Sequence, residues 1–319
     1  MTLDAMLTRL IATQGAREAE AAPPPRIGTA RLARSVAAVV LVAAAHPAPA
    51  LDLDVLWDAG RPEASEQRLR AALAATWDED DAVILVTQIA RSHGLRGDFA
   101  RAQTMLAAIE PQLGSAEARV RHALETGRTL SSATHPPETQ TAQVRARARA
   151  AYLDAFELAR AAQLDALAID ALHMMAFVDT APADQLRWGQ QALALAQASA
   201  QPAARRWEAA LRNNVGYALH QLGRYDEALE QFRLALALRE RGSDAEATRI
   251  AWWMVAWTLR ALARADEALA IQLRLERECD AAGAPDPYVY EELEILYRAR
   301  GDGAAAARYA ALRAGAQPR

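Results

Sequence analysis

Six histidines, one cysteine and a cluster of tryptophans near an arginine are the side chains whose types could do chemistry. The histidines are His46, His93, His122, His135, His173 and His220, and they are scattered. None pairs at i, i+4 with another metal-ligand type so as to set two ligands on one helix face. His173 precedes Met174 and Met175 on an apolar face, which reads as a core imidazole. Cys279 lies late on an amphipathic segment beside Arg277 and Glu278. With no histidine and amide or acid partner placed for it, it reads as structural. The glycine-rich phosphate loops, the nucleophile elbow and the His-Glu-x-x-His zinc pattern are all missing. The chain has no lysine, so all 36 basic residues are arginine, which removes phosphate-loop and Schiff-base lysine chemistry. What remains is recognition, and the sequence is read as a non-enzyme with no cofactor and no metal site. Asn213 and Asn214 are the only asparagines, and each amide can both donate to and accept from an extended backbone. Trp253 and Trp257 lie one turn apart, on a different face from Trp252. Together with Arg260 they supply the residue types that dominate binding hot spots.

These residues must be positioned by helices. From Pro62 onward the chain reads as amphipathic segments broken by short turns, with no strand-like alternation. The expected helices are 62–75, 80–93, 99–109, 116–130, 142–162, 165–178, 182–198, 202–222, 225–239, 245–262, 266–281, 287–299 and 303–312. Residues 131–141, with Pro136 and Pro137, form the longest expected loop. The composition is 52% hydrophobic but only 6% aromatic, so alanine and leucine carry the burial, which suits packed helices better than sheets.

One stretch has a recognisable spacing. Val215, Gly216 and Tyr217 precede a turn at Gly223-Arg224-Tyr225, and Ala228, Phe232 and Ala235 follow. This spacing resembles the 34-residue tetratricopeptide repeat, a helix–turn–helix unit that stacks into a solenoid. The likeness recurs at Ile89, Ala90, Gly97, Phe99, Ala102 and Leu106, and again at Trp252, Val255, Ala256, Ala268 and Leu275. In that second unit Ala263 and Ala265 replace the turn glycine and tyrosine. A last unit carries Tyr290, Leu293, Gly301 and Ala306, with Glu294 in place of a small residue, as suits a terminal repeat facing water. The units within 116–198 match only in helix length and apolar spacing, and their register stays open. The resemblance covers roughly residues 62–315. It implies an all-α, right-handed superhelix (an α-solenoid) of about six hairpins. The whole chain also resembles a group of bacterial tetratricopeptide proteins whose folded part opens near a segment like Asp54-Val55-Leu56-Trp57, a likeness that implies no activity.

The resemblance further implies which residues line the concave groove. Counted along each repeat, these are Gln88 and Arg91; Asn213, Asn214, Tyr217, His220 and Gln221; Trp253, Trp257 and Arg260; and Arg298, with Glu291 and Glu292 beside it. The implied function is a non-enzymatic protein–protein interaction scaffold that takes a peptide or helix of a partner in this groove. Alternatives are an exported assembly factor and an enzyme within a helical shell. The family's carboxylate-gripping variety uses lysines and asparagines, so Arg260 or Arg298 would have to replace lysine here. Self-association through the C-terminal helices is left open.

Residues 1–50 differ from the rest. Arg26, Arg31 and Arg34 precede an uncharged apolar run from Val36 to Ala45, and Pro47-Ala48-Pro49-Ala50 follows. This resembles a secretory signal with cleavage after Ala50, giving a periplasmic or secreted protein. The alternative is an alanine-rich, flexible extension of a cytoplasmic one. The folded domain is expected over 51–319. The run of about 10 residues is too short for a membrane-spanning helix of about 20. A formal net charge of −4 argues against nucleic acid as a partner.

Overall fold

A computed structural model describes residues 51–58 and 60–316; the signal-like segment and its cleavage point lie outside them. The described chain is helical, with no strand among these residues. After an N-terminal strap, residues 51–57, come α1 (Pro62–Ala75), α2 (Glu79–Leu95), α3 (Phe99–Ile109), α4 (Ala116–Arg128), α5 (Ala142–Ala161), α6 (Asp165–Met175) and α7 (Pro182–Ala198). A single turn, α8 (Pro202–Arg205), leads into α9 (Glu208–Gln221), α10 (Tyr225–Arg239), α11 (Ala245–Ala261), α12 (Ala265–Ala281), α13 (Pro287–Ala299) and α14 (Gly303–Gly315).

Local chemistry explains the bounds. Proline opens α1, α7, α8 and α13, where its missing N–H costs nothing. The side chains of Asp98, Ser115, Thr141, Asp244 and Asp302 accept from a backbone N–H three residues on, capping α3, α4, α5, α11 and α14. Four interhelical turns place glycine in the left-handed region, at Gly97, Gly223, Gly283 and Gly301. Ala263 takes that conformation in the α11–α12 turn at φ 58°, where a Cβ is strained.

The helices pair as α2–α3, α4–α5, α6–α7, α9–α10, α11–α12 and α13–α14, with α1 packed on α2. First helices of successive pairs touch, α2 against α4 and α4 against α6, forming an inner row. Two close approaches show that pairs four and two are built alike. A Cβ on Gly216 would lie 2.8 Å from the Phe232 ring, and one on Gly127 would lie 2.5 Å from the Tyr152 ring. Gly127 and Tyr152 therefore do for α4–α5 what Gly216 and Phe232 do for α9–α10, and this settles the register of the α4–α5 pair. One apolar cluster runs from Ile169 to Tyr309, a second lies between Val120 and Val178, and smaller ones gather the strap's Leu51, Leu53, Leu56 and Trp57 against α1 to α3.

One expected helix is two. The segment read as 202–222 breaks at Arg206-Trp207. Its first turn is tied backwards: Gln201 Nε2 donates to the Gln163 carbonyl and Arg205 Nε to the Ser199 carbonyl. These bonds hold α8 to the preceding pair and free Arg206 to reach elsewhere.

Candidate binding groove

The inner row presents two different surfaces. Its C-terminal half, α9, α11 and α13, is filled by rings. Trp253 stacks on Trp257 with centroids 5.8 Å apart, Tyr217 lies 6.1 Å from Trp257, and His220 stacks on the Trp257 ring at 3.4 Å. His220 meets Tyr225 edge-on at 4.8 Å. Arg260 ends the ladder by donating two bonds of 2.7 Å to the buried Glu292 carboxylate. Burial, aided by Arg260, lowers the His220 pKa to about 4, so the imidazole is neutral at pH 7.

The sequence-derived groove residues are thus brought onto neighbouring helices, with unequal access. Asn213, Tyr217, Trp253 and Trp257 are buried, Asn214, His220 and Arg260 are half-buried, and Gln221 and Arg298 are exposed. Trp253 and Trp257 belong to the main apolar cluster, because stacked rings cover each other's faces. Trp252 is the more exposed of the three and lies under the Arg274 guanidinium at 3.9 Å. Arg298 bonds Glu294 at 2.6 Å. Asn214 joins the two halves: its Nδ2 donates to His173 Nδ1 at 3.1 Å. His173 is the core imidazole its neighbours suggested, packed against Phe177 and Trp207, with burial lowering its pKa to about 4. Cys279 is buried, and burial raises its thiol pKa.

The N-terminal half is ionic. Arg128 on α4 bonds Glu125 on its own helix and Asp170 on α6, each at 2.5 Å, with all three side chains nearly buried. Burial works against the Arg128 charge, but Asp170 and Glu125 outweigh it and hold its pKa above the ordinary arginine value. Burial likewise raises the Asp170 carboxyl, and Arg128 and Arg91 more than reverse this. Arg91 and Gln88, both expected here, meet the strap. Trp57 Nε1 donates to Gln88 Oε1 at 2.9 Å, and the Arg91 guanidinium lies 5.3 Å from the Trp57 ring centre. The strap then reaches across the row, where Asp54 pairs with Arg206 at 3.0 Å. A cleft of about 240 Å³ remains beneath, lined by the strap, α2, α4, α6 and the α8–α9 elbow.

Sequence reading missed Asp54, Trp57, Arg121, Glu125, Arg128, Asp170 and Arg206. On paper Arg121, Glu125 and Arg128 are charges on an amphipathic helix, indistinguishable from a solvated face. The available signal was Gly127: aligned with Gly216, it puts Arg121, Glu125 and Arg128 at inner-row positions. Among the described residues no group of three His, Cys, Asp or Glu could hold a metal, and no helix is long and apolar enough to cross a membrane.

Comparison with known proteins agrees with the geometry. A tetratricopeptide repeat profile matches residues 207–276. No curated protein matches the chain in sequence. The solved structure of a signal transduction ATPase with numerous domains, which carries a tetratricopeptide repeat sensor and comes from Pyrococcus horikoshii, superposes with a TM-score of 0.60 at 14% identity. The match covers 80% of this chain and 39% of that one, so the chain spans about two fifths of that protein's length. At this identity the likeness speaks to the fold alone. BtubC from P. vanneervenii aligns over 84% of this chain and 95% of its own at 14% identity, with a TM-score of 0.36 that carries no argument. Residues 207–276 are tetratricopeptide repeats, and the helix pairs on either side continue them as one α-solenoid.

Proposed function

We propose that the chain is a non-enzymatic interaction scaffold that holds a peptide or helix of a partner protein along its inner row. Tetratricopeptide repeats generally mediate protein–protein interaction. The observation that carries the reading for this chain is the strap. Residues 51–57 form a mostly non-helical segment held against the inner row by an indole on Gln88 and a carboxylate on Arg206. That is the kind of contact a partner's peptide would make further along. In the C-terminal half the polar side chains with access are Gln221 and Arg298, which are exposed, and the half-buried Arg260. They offer an amide and guanidinium groups over a rigid aromatic floor.

The test is photo-crosslinking in the native host, with a photoreactive residue replacing Gln221 or Arg298 on the inner row, or Glu230 on α10 outside it. A discrete partner crosslinked from the two inner positions and not from Glu230 supports the reading. Crosslinks from Glu230 alone, or from none of the three, would sink it. We also propose export with Leu51 as the mature N-terminus, on the signal-like pattern before it; N-terminal sequencing of the host protein showing an intact residue 1–50 segment would exclude that.

A further inference from the structure

The cleft between the first three helix pairs holds a chemistry that peptide binding does not use. Three carboxylates line it, and each is matched. Asp54 pairs with Arg206 at 3.0 Å, Glu117 with Arg121 at 2.7 Å, and Asp170 with Arg128 at 2.5 Å. Arg91 also lines it, and it makes no hydrogen bond or ion pair with any described residue; its recorded contact is the Trp57 ring face. Burial and repulsion from Arg128 hold its pKa below the ordinary arginine value, which Glu125 and Asp170 offset only in part. The walls beside it are apolar, with Trp57, Trp207, Leu95 and Leu167.

We propose that this cleft binds a small organic carboxylate, its head against Arg91 and a compact apolar body between Trp57, Trp207, Leu95 and Leu167. Charge and shape select the head. A planar carboxylate fits a guanidinium fork, and Arg91 is the lining arginine whose donors no described carboxylate takes, since Arg121 is bonded to Glu117 and Arg206 to Asp54. A phosphate dianion would bring two charges next to Asp170 and Glu117. Size selects a small molecule over a chain. The volume of about 240 Å³ lies under the Asp54–Arg206 bridge, which a polypeptide running through the cleft would have to break and a compact acid would not.

The test is calorimetric titration of the full chain with hexanoate and phenylacetate, and with hexanamide and phenylacetamide as uncharged isosteres. Saturable binding of either acid at millimolar concentration is expected, with no binding of the amides. Arg91→Gln should weaken it by roughly tenfold or more, while Arg91→Lys, which keeps the charge, should lose less. Leu167→Trp, which fills the cleft without touching the charges, should abolish it if Arg91→Gln fails to fold. The proposal is overturned if neither acid binds, if the amides bind equally, or if Arg91→Gln or Leu167→Trp binds like wild type. Tighter binding of inorganic phosphate, or binding of an acidic peptide alone, overturns it as well.

Discussion

The two halves of the inner row answer one structural problem in different ways. Both must fill the space where first helices of successive pairs face each other. The C-terminal half uses planar rings, which close-pack and leave polar edges at the margin. The N-terminal half uses charges, which pair by geometry and leave a void where pairing ends, at Arg91. On the inner row the halves are joined by a neutral hydrogen bond between Asn214 and His173. The lesson is that a repeat scaffold does not dictate its inner surface. The small residues at Gly127 and Gly216 set the same helix spacing in each half, and the residues one turn away decide whether the surface is a wall or a pocket.

The contrast can be broken from either side. The largest effects should come from deleting what fills each half. Trp257→Ala removes a ring that contacts Trp253, Tyr217 and His220, and should destabilise the fold by about 3–5 kcal/mol in urea unfolding. A loss under about 1 kcal/mol would mean that the ladder is loosely packed. Arg128→Ala leaves Glu125 and Asp170 buried without their cation and should cost about 3–5 kcal/mol, whereas joint replacement of all three by apolar residues should cost much less. Equal losses for the single and triple variants would show that the pairing itself stabilises.

A middle-sized effect concerns pH. His173 and His220 have folded pKa values lowered to about 4 from 6.5. The unfolded chain therefore takes up protons first as pH falls, and stability is lost between about 6.5 and 4. From pH 7 to 5 the buried His173 should cost about 2 kcal/mol, and the half-buried His220 less. His173→Gln should remove most of the pH dependence of the urea midpoint in this range. An unchanged slope would place the titration elsewhere.

The smallest effects test the shared frame. Gly127→Ala should cost about 1–3 kcal/mol by driving a methyl into the Tyr152 ring, as Gly216→Ala should against Phe232. Ala263→Gly should stabilise by about 0.5–1 kcal/mol, because it relieves a left-handed alanine, and thermal melting would show it. A destabilised Ala263→Gly would mean that the turn is held by contacts rather than strained.

Much of the frame was legible. The segments 62–75, 182–198, 225–239 and 287–299 were placed to the residue, three by a proline at the first helical position and one by the Gly223 turn before it. The helices of the α4–α5 pair were placed to within two residues, but their register was not legible, because the turn is long and the small residue, Gly127, stands in an ordinary polar stretch. The break at Arg206-Trp207 has no local signal; it comes from bonds to Gln163 and Ser199 on earlier elements. The aromatic floor was visible as residue types, but its burial was not, since stacking depends on how α9 and α11 sit together. The cleft was invisible, because Asp54 and Arg206 stand 152 residues apart and a buried charge looks like a surface one in a one-dimensional pattern.

The difference between the halves can be read directly by iodide quenching of tryptophan emission. The parent variant would carry phenylalanine at Trp77, Trp188 and Trp252. From it, one protein keeps only Trp57 and Trp207, and another only Trp253 and Trp257. The small anion should quench the cleft pair several-fold more strongly than the ladder pair, and Arg91→Gln should remove most of that excess. Equal quenching of the two pairs would contradict an open N-terminal cleft with Arg91 in its wall beside a closed aromatic wall.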